Sequence, residues 1–179
     1  VSERQRLAAR LGHSEARAAH PDGAPVDWAD WQARLAAIRE ASELCGRPLP
    51  AAVAADYAER VLPLWEAVHP GDPRPREAFA AAREWAECPC EGHRLAAAAA
   101  ANAAPAGAAD YAAYAAYAAA AATLRVAVAY ASDAAAYAAA YAAYAAAGDT
   151  AADNAAATAA EGQWQQRRLA AYLMGEVAL

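Results

Sequence analysis

Between Asp110 and Ala122 the chain reads DYAAYAAYAAAAA, and from Tyr137 the pattern returns as YAAAYAAYAAAGD. Alanine has the strongest intrinsic helix propensity, because it has no side-chain freedom to lose. It also offers little apolar area, so a helix built from it is held only where a neighbouring helix comes close along a long contact. Elsewhere no stretch keeps a period-two alternation, and Val, Ile and Thr do not gather in runs. The expectation is an all-α fold: an alanine-rich multi-helix bundle with no β-sheet.

With 179 residues the chain can form one domain with a real core. The expected organisation is a single all-helical domain over 1–179, with an Arg- and Trp-containing half at 1–94 and an Ala- and Tyr-rich half at 95–179. The hydrophobic fraction of 59% is mostly alanine, and the mean hydropathy is only -0.03. The uncharged run Tyr111 to Leu124, mainly alanine and ended by Arg125, falls short of the roughly 20 strongly apolar residues of a membrane span. The opening SERQRLAAR has no apolar stretch like that of a secretory signal, so a cytoplasmic protein is expected, with no membrane partner.

All 15 basic residues are arginine, which together with abundant Ala, Pro and Gly indicates a GC-rich genome. A net charge of -6 argues against nucleic-acid binding, which normally calls for a basic face. Three cysteines are too few for a disulfide scaffold and are expected to remain thiols.

Ser2 to Ala19 reads as a helical segment interrupted near Gly12, and His20-Pro21-Asp22-Gly23 as a turn. Asp27 is the expected N-cap of a helix from about Trp28 to Cys45, with Trp28, Trp31, Leu35 and Ile38 on one face. A further helix is expected over Ala51 to Val68. Pro63 inside it lacks an amide proton, so either the helix kinks there or two helices meet. HPGDPRP forms a loop, after which Pro75 opens a helix over Arg76 to Glu87. CPCEG breaks the chain again, His93 to Ala103 resumes it, and Thr150 to about Gly175 supplies a last helix.

As one helix, Asp110 to Ala147 would run ~57 Å, whereas a compact domain of this size is roughly 40 Å across. Compactness therefore favours a break at Ser132-Asp133. Against it, Tyr130, Tyr137, Tyr141 and Tyr144 fall within about 60° of one another on a continuous helix. The tyrosines are read first as a frame for alanine packing, their rings buried and their hydroxyls free to reach water. The sharper reading makes Tyr137, Tyr141 and Tyr144 an exposed stripe that binds another protein, tyrosine being common at interface hot spots.

CPCEGH places Cys88, Cys90 and His93 together, a candidate metal set of two thiolates and an imidazole, with Glu91 as a fourth ligand. Cys-X-Cys is not the usual zinc-knuckle spacing and no second Cys/His pair follows, so the plain reading is an interhelical loop. A helical metal-dependent enzyme built on these residues is the enzymatic rival. No phosphate loop, nucleophile elbow or HExxH occurs, and Glu40/Glu43 and Glu84/Glu87 read as solvated ion-pair formers. No catalytic residue, cofactor or enzyme activity is expected.

The segment AADYAERVLPLWEAVHPGDPRPREAFAAAREWAE, Ala54 to Glu87, resembles the N-terminal half of bacterial immunity proteins of polymorphic toxin systems. Shared features are the AERVLPLWE helix, the PGDPRPREA loop and the helix ending in AREWA. EGQWQQRRLAAYL, Glu161 to Leu173, is similar to tails of bacterial and phage proteins of like composition. The resemblance implies a small helical protein that binds and neutralises a toxin, and an acidic domain suits a basic partner. Asp72, in the loop between Trp65 and Trp85, is the candidate contact there, the two tryptophans being read as core. The rival is a self-associating structural or scaffolding protein, phage-derived, whose Ala/Tyr helices form homo-oligomers.

Overall fold

The protein is described by a computed structural model over residues 2–46, 48–103 and 151–178. Among the described residues there are helices and no strand. In chain order they are α1 (Glu3–Arg10), α2 (Ser14–Ala19), α3 (Trp31–Cys45), α4 (Pro48–Val68), α5 (Arg74–Glu87), α6 (Glu91–Ala103) and α7 (Ala151–Met174). The choice between one helix and two over 110–147, and the exposure of the tyrosine stripe, fall outside the described residues.

Local chemistry sets most boundaries. Ser2 and Gln5 form a capping box on α1, the Ser2 Oγ accepting from the Gln5 amide at 3.3 Å and the Gln5 Oε1 from the Ser2 amide at 3.1 Å. Gly12, at φ +85°, ends that helix with the paired bonds of a Schellman motif, Gly12 N–H to Ala9 O and His13 N–H to Ala8 O. The same device closes α7, where Gly175 sits at φ +75° and Glu176 N–H reaches Ala171 O at 3.0 Å. The N-cap of α3 is Asp30 rather than Asp27, its Oδ1 accepting from the Ala33 amide at 2.7 Å. Asp27 instead accepts from Ala29 and Asp30 in the preceding turn, an Asx geometry that competes with helix initiation. Helix α4 begins earlier than the sequence suggests, at Pro48, and continues through Pro63 as one element. Both Pro63 and Glu59, whose carbonyl loses its helical donor, lie on the exposed side, so that carbonyl is not shut away in the core.

Helix α4 is the centre of the assembly. Every residue from Leu49 to Ala58 is buried, as expected of a helix enclosed on all sides. It packs against α3 and α7, while α5 packs on α4 and carries α6. Helix α1 closes the arrangement by contacting α2, α3 and α7, and the Arg4 side chain donates from Nε to the Leu44 carbonyl near the end of α3 at 3.1 Å. The core is alanine-rich at these contacts (Ala41, Ala51, Ala52, Ala54, Ala55, Ala78, Ala82 and Ala170), with Leu7, Ile38, Leu49, Val53, Tyr57, Trp85 and Leu169 filling the wider gaps.

Two polar ties run through this core. Trp28 donates from Nε1 to Gln165 Oε1 at 2.9 Å, Gln165 donates to Glu161 at 3.2 Å, and the buried Tyr57 hydroxyl donates to the Gln165 carbonyl at 3.2 Å. The second tie is Asp56, a carboxylate whose side chain is only 5% exposed inside the apolar stretch of α4. It accepts from Arg83 of α5 at 2.8 Å, from Arg168 of α7 at 2.5 Å and from the Tyr172 hydroxyl at 2.8 Å. Helices α5 and α7 make no backbone contact with each other, so Asp56 is the point at which they are joined through α4.

Replacing Asp56 by Ala leaves two guanidinium groups and a phenol facing a hole. The arginines are about one-third exposed and recover some water, so a loss of about 2–4 kcal/mol in urea unfolding is expected; a loss under about 0.5 kcal/mol would show that solvent replaces the carboxylate. Gly162 gives a second check, because a Cβ there would stand 3.2 Å from Trp28 Cδ1. Gly162→Ala should fail to deliver the ~1 kcal/mol gain expected on an open helix face, and Gly162→Leu should lose about 1–3 kcal/mol by overpacking.

Candidate functional site

Two crevices share Asp56 and Arg168 in their linings. One, of about 250 Å³, is lined by Ala52, Asp56, Arg83, Tyr172 and the tail residues Val177 and Ala178. The other, of about 260 Å³, is lined by Asp56, Glu59, Arg60, Trp164 and Arg168. Helical spacing explains the gathering: Asp56, Glu59 and Arg60 share one face of α4, and Glu161, Trp164, Arg168 and Tyr172 recur every three or four residues along α7.

The charges are matched. Arg83 bridges Asp56 and Glu59, with its Nη2 2.5 Å from the Glu59 carboxylate. Arg60 pairs with the nearly buried Glu161 at 2.8 Å and lies over the Trp164 ring, 4.7 Å from its centroid. Trp164 also meets Tyr57 edge-on at 6.1 Å. Burial, with Asp56 adding to it, pushes the Tyr172 phenol far above its ordinary range, and burial does the same to Tyr57. Both stay protonated donors at neutral pH. Among the described residues, neither crevice lining includes a serine, cysteine or histidine. What the face presents to solvent is three guanidinium groups, those of Arg60, Arg83 and Arg168, beside a half-buried indole and the exposed Glu59.

Asp72 lies in the loop before α5, where it accepts from the Arg74 amide at 3.1 Å and pairs with the Arg74 side chain at 2.6 Å. Bonding to that side chain first, and to the amide besides, holds its carboxyl down to about 2. Trp85 is buried in the core, as the sequence reading expected. The structure does not bring Asp72 to the Asp56 face through any contact, and Tyr137, Tyr141 and Tyr144 lie outside the described residues.

Cys88, Cys90 and His93 do converge: the two sulfurs and a ring nitrogen of His93 lie within 4.8 Å of one another at the α5–α6 turn. Both cysteines are exposed. The backbone amide of His93, directed at its sulfur, holds the Cys90 thiol down, whereas hydrogen bonding and charge from Cys90 push Cys88 up. Glu91 is turned away to Arg94, with contacts of 2.6 and 2.7 Å, so it does not complete the set.

The Asp56 cluster is the part of the surface that sequence reading missed. Its signal was present, because Asp56 is an acid placed in the middle of PAAVAADYA, where burial obliges it to find cations. Which cations could not be read, since Arg83 and Arg168 are distant in the chain.

No curated protein and no solved structure matches the chain. One family model does, over residues 50–172, a stretch that holds α5, α6 and most of α4 and α7 and includes Asp56, Arg83, Arg168 and Tyr172. With more than half of its length matched, the chain belongs to the family of Imm-5 like putative immunity proteins.

Proposed function

We propose that this protein acts by stoichiometric binding, as an immunity protein that occupies and silences a cognate bacterial toxin in the cytoplasm. The observation that carries the reading is the family match across residues 50–172. The surface chemistry agrees with it. Arginine and tryptophan are the side chains that most often dominate interface energetics, and Arg60, Arg168 and Trp164 meet at one crevice with Glu59 beside them. Their mutual pairing preorganises the guanidinium groups, so little rotamer freedom remains to be lost when a partner docks. The net charge of -6 adds long-range attraction to a basic toxin, while the local arginines would meet its carboxylates. Asp72, fixed by Arg74 in an exposed loop, is a second candidate contact, as are Tyr137, Tyr141 and Tyr144.

The test is co-expression of each neighbouring gene in a bacterial host with and without this protein. Survival in the presence of one toxic neighbour, together with a co-purifying complex, is the expected result; toxicity without rescue counts against the proposal. Within such a complex, Arg60→Gln keeps a donor for Glu161 and removes the charge. It should weaken binding by about 5- to 30-fold, the effect of an interface residue worth about 1–2 kcal/mol, with helical circular dichroism unchanged and a urea midpoint somewhat lowered because the nearly buried Glu161 loses its cation. An unchanged affinity would move the interface off this face.

A further inference from the structure

The α5–α6 turn gathers three side chains of metal-ligand type that the toxin-binding reading does not employ. Helix α5 ends at Glu87 and α6 begins at Glu91, so Cys88, Pro89 and Cys90 make the whole connection. Cys90 is the last residue before α6 and its carbonyl accepts the first helical bond, from Arg94 N–H at 3.0 Å. His93 lies on the first turn of α6, and its Nδ1 is 3.0 Å from the Cys88 carbonyl. A carbonyl only accepts, so Nδ1 carries the proton and the neutral ring keeps its lone pair on Nε2. That is the arrangement in which metal-binding histidines are commonly held, one nitrogen tied to a backbone carbonyl and the other left to coordinate.

We propose that Cys88, Cys90 and His93 bind one zinc-class divalent ion. The donor set is two sulfurs and one imidazole, the combination that selects borderline-soft ions over Mg²⁺ or Ca²⁺. Around a tetrahedral ion such donors stand about 3.5–3.8 Å apart. With the sulfurs and a ring nitrogen of His93 within 4.8 Å of one another, closing to that spacing takes χ1 rotation of the exposed cysteines together with adjustment of the imidazole that brings Nε2 to the sulfurs. Each thiol that ligates releases its proton to solvent, so a dithiolate site with a divalent ion is neutral overall. Glu84, Glu87 and Glu91 surround the turn, and only Glu91 is drawn off by Arg94. With Glu91 engaged, the fourth position is left to water or to a donor from another molecule. Bound there, the ion would clamp the end of α5 to the start of α6.

The experiment uses the full chain, fully reduced, titrated with Zn²⁺ against a chromophoric chelator and, separately, with Co²⁺ as an optical probe. One equivalent of Zn²⁺ and an intense tetrahedral Co²⁺ spectrum with thiolate charge-transfer bands are expected, with a thermal midpoint that rises with free Zn²⁺. Cys90→Ser should weaken binding by roughly 100-fold and His93→Ala by at least about 10-fold, while Cys45→Ser changes nothing. Because the turn is exposed, helical circular dichroism should be the same in all variants. Absence of binding by the reduced protein, or equal binding by the Cys88→Ser/Cys90→Ser double variant, would overturn the assignment.

Discussion

A carboxylate buried in the middle of an alanine helix is the constraint around which the rest of this structure is arranged. Asp56 lies in a run from Leu49 to Ala58 in which every residue is buried, and an ionised acid there is unfavourable by several kcal/mol unless cations and donors reach it. Arg83, Arg168 and Tyr172 all reach it. They come from helices that flank α4 and whose backbones do not approach each other, so the need to satisfy one charge helps to specify where α5 and α7 sit. Alanine surfaces alone would leave that choice loosely determined, because one smooth apolar face resembles another.

Alanine makes the close approach possible, and the few large side chains decide its register. Tyr57 is fully enclosed and still places its hydroxyl on the Gln165 backbone. Trp28 packs so near to Gly162 that a Cβ there would stand only 3.2 Å from the ring, and its indole proton is accepted by Gln165. The segment before α3 is thereby keyed to α7 by shape and by a hydrogen bond, although it lies outside the residues that carry the family match. The capping box on α1 and the glycines at positive φ after α1 and α7 end these helices at defined points, which keeps the long contacts in phase.

The same clustering that stabilises the core shapes the surface above it. Arg60, Arg83 and Arg168 each keep roughly a third or more of their side chains in water while their inner contacts are held by acids. Fold and surface are therefore coupled here: the groups that close the core are also the groups a partner meets. At the C-terminal end of α5, the turn with Cys88, Cys90 and His93 shares no hydrogen bond with the Asp56 network among the described residues, His93 turning instead to the Cys88 carbonyl.

The sequence by itself determined the all-α character, through alanine propensity and the absence of period-two patterns. It also indicated most helix limits, through glycines and prolines whose backbone preferences act locally, and the immunity-protein relationship through Ala54–Glu87. Cys88, Cys90 and His93 were legible as a group because they are neighbours in the chain. Asp27 misled because an Asx turn and an N-cap use the same side chain and differ only in the backbone that follows. The Asp56 cluster was decided by tertiary structure alone. Arg83 follows Asp56 by 27 residues, Arg168 and Tyr172 by more than a hundred, and what selects Arg168 over the chain's other arginines as a partner is the crossing of α4 and α7, a relation no local pattern encodes.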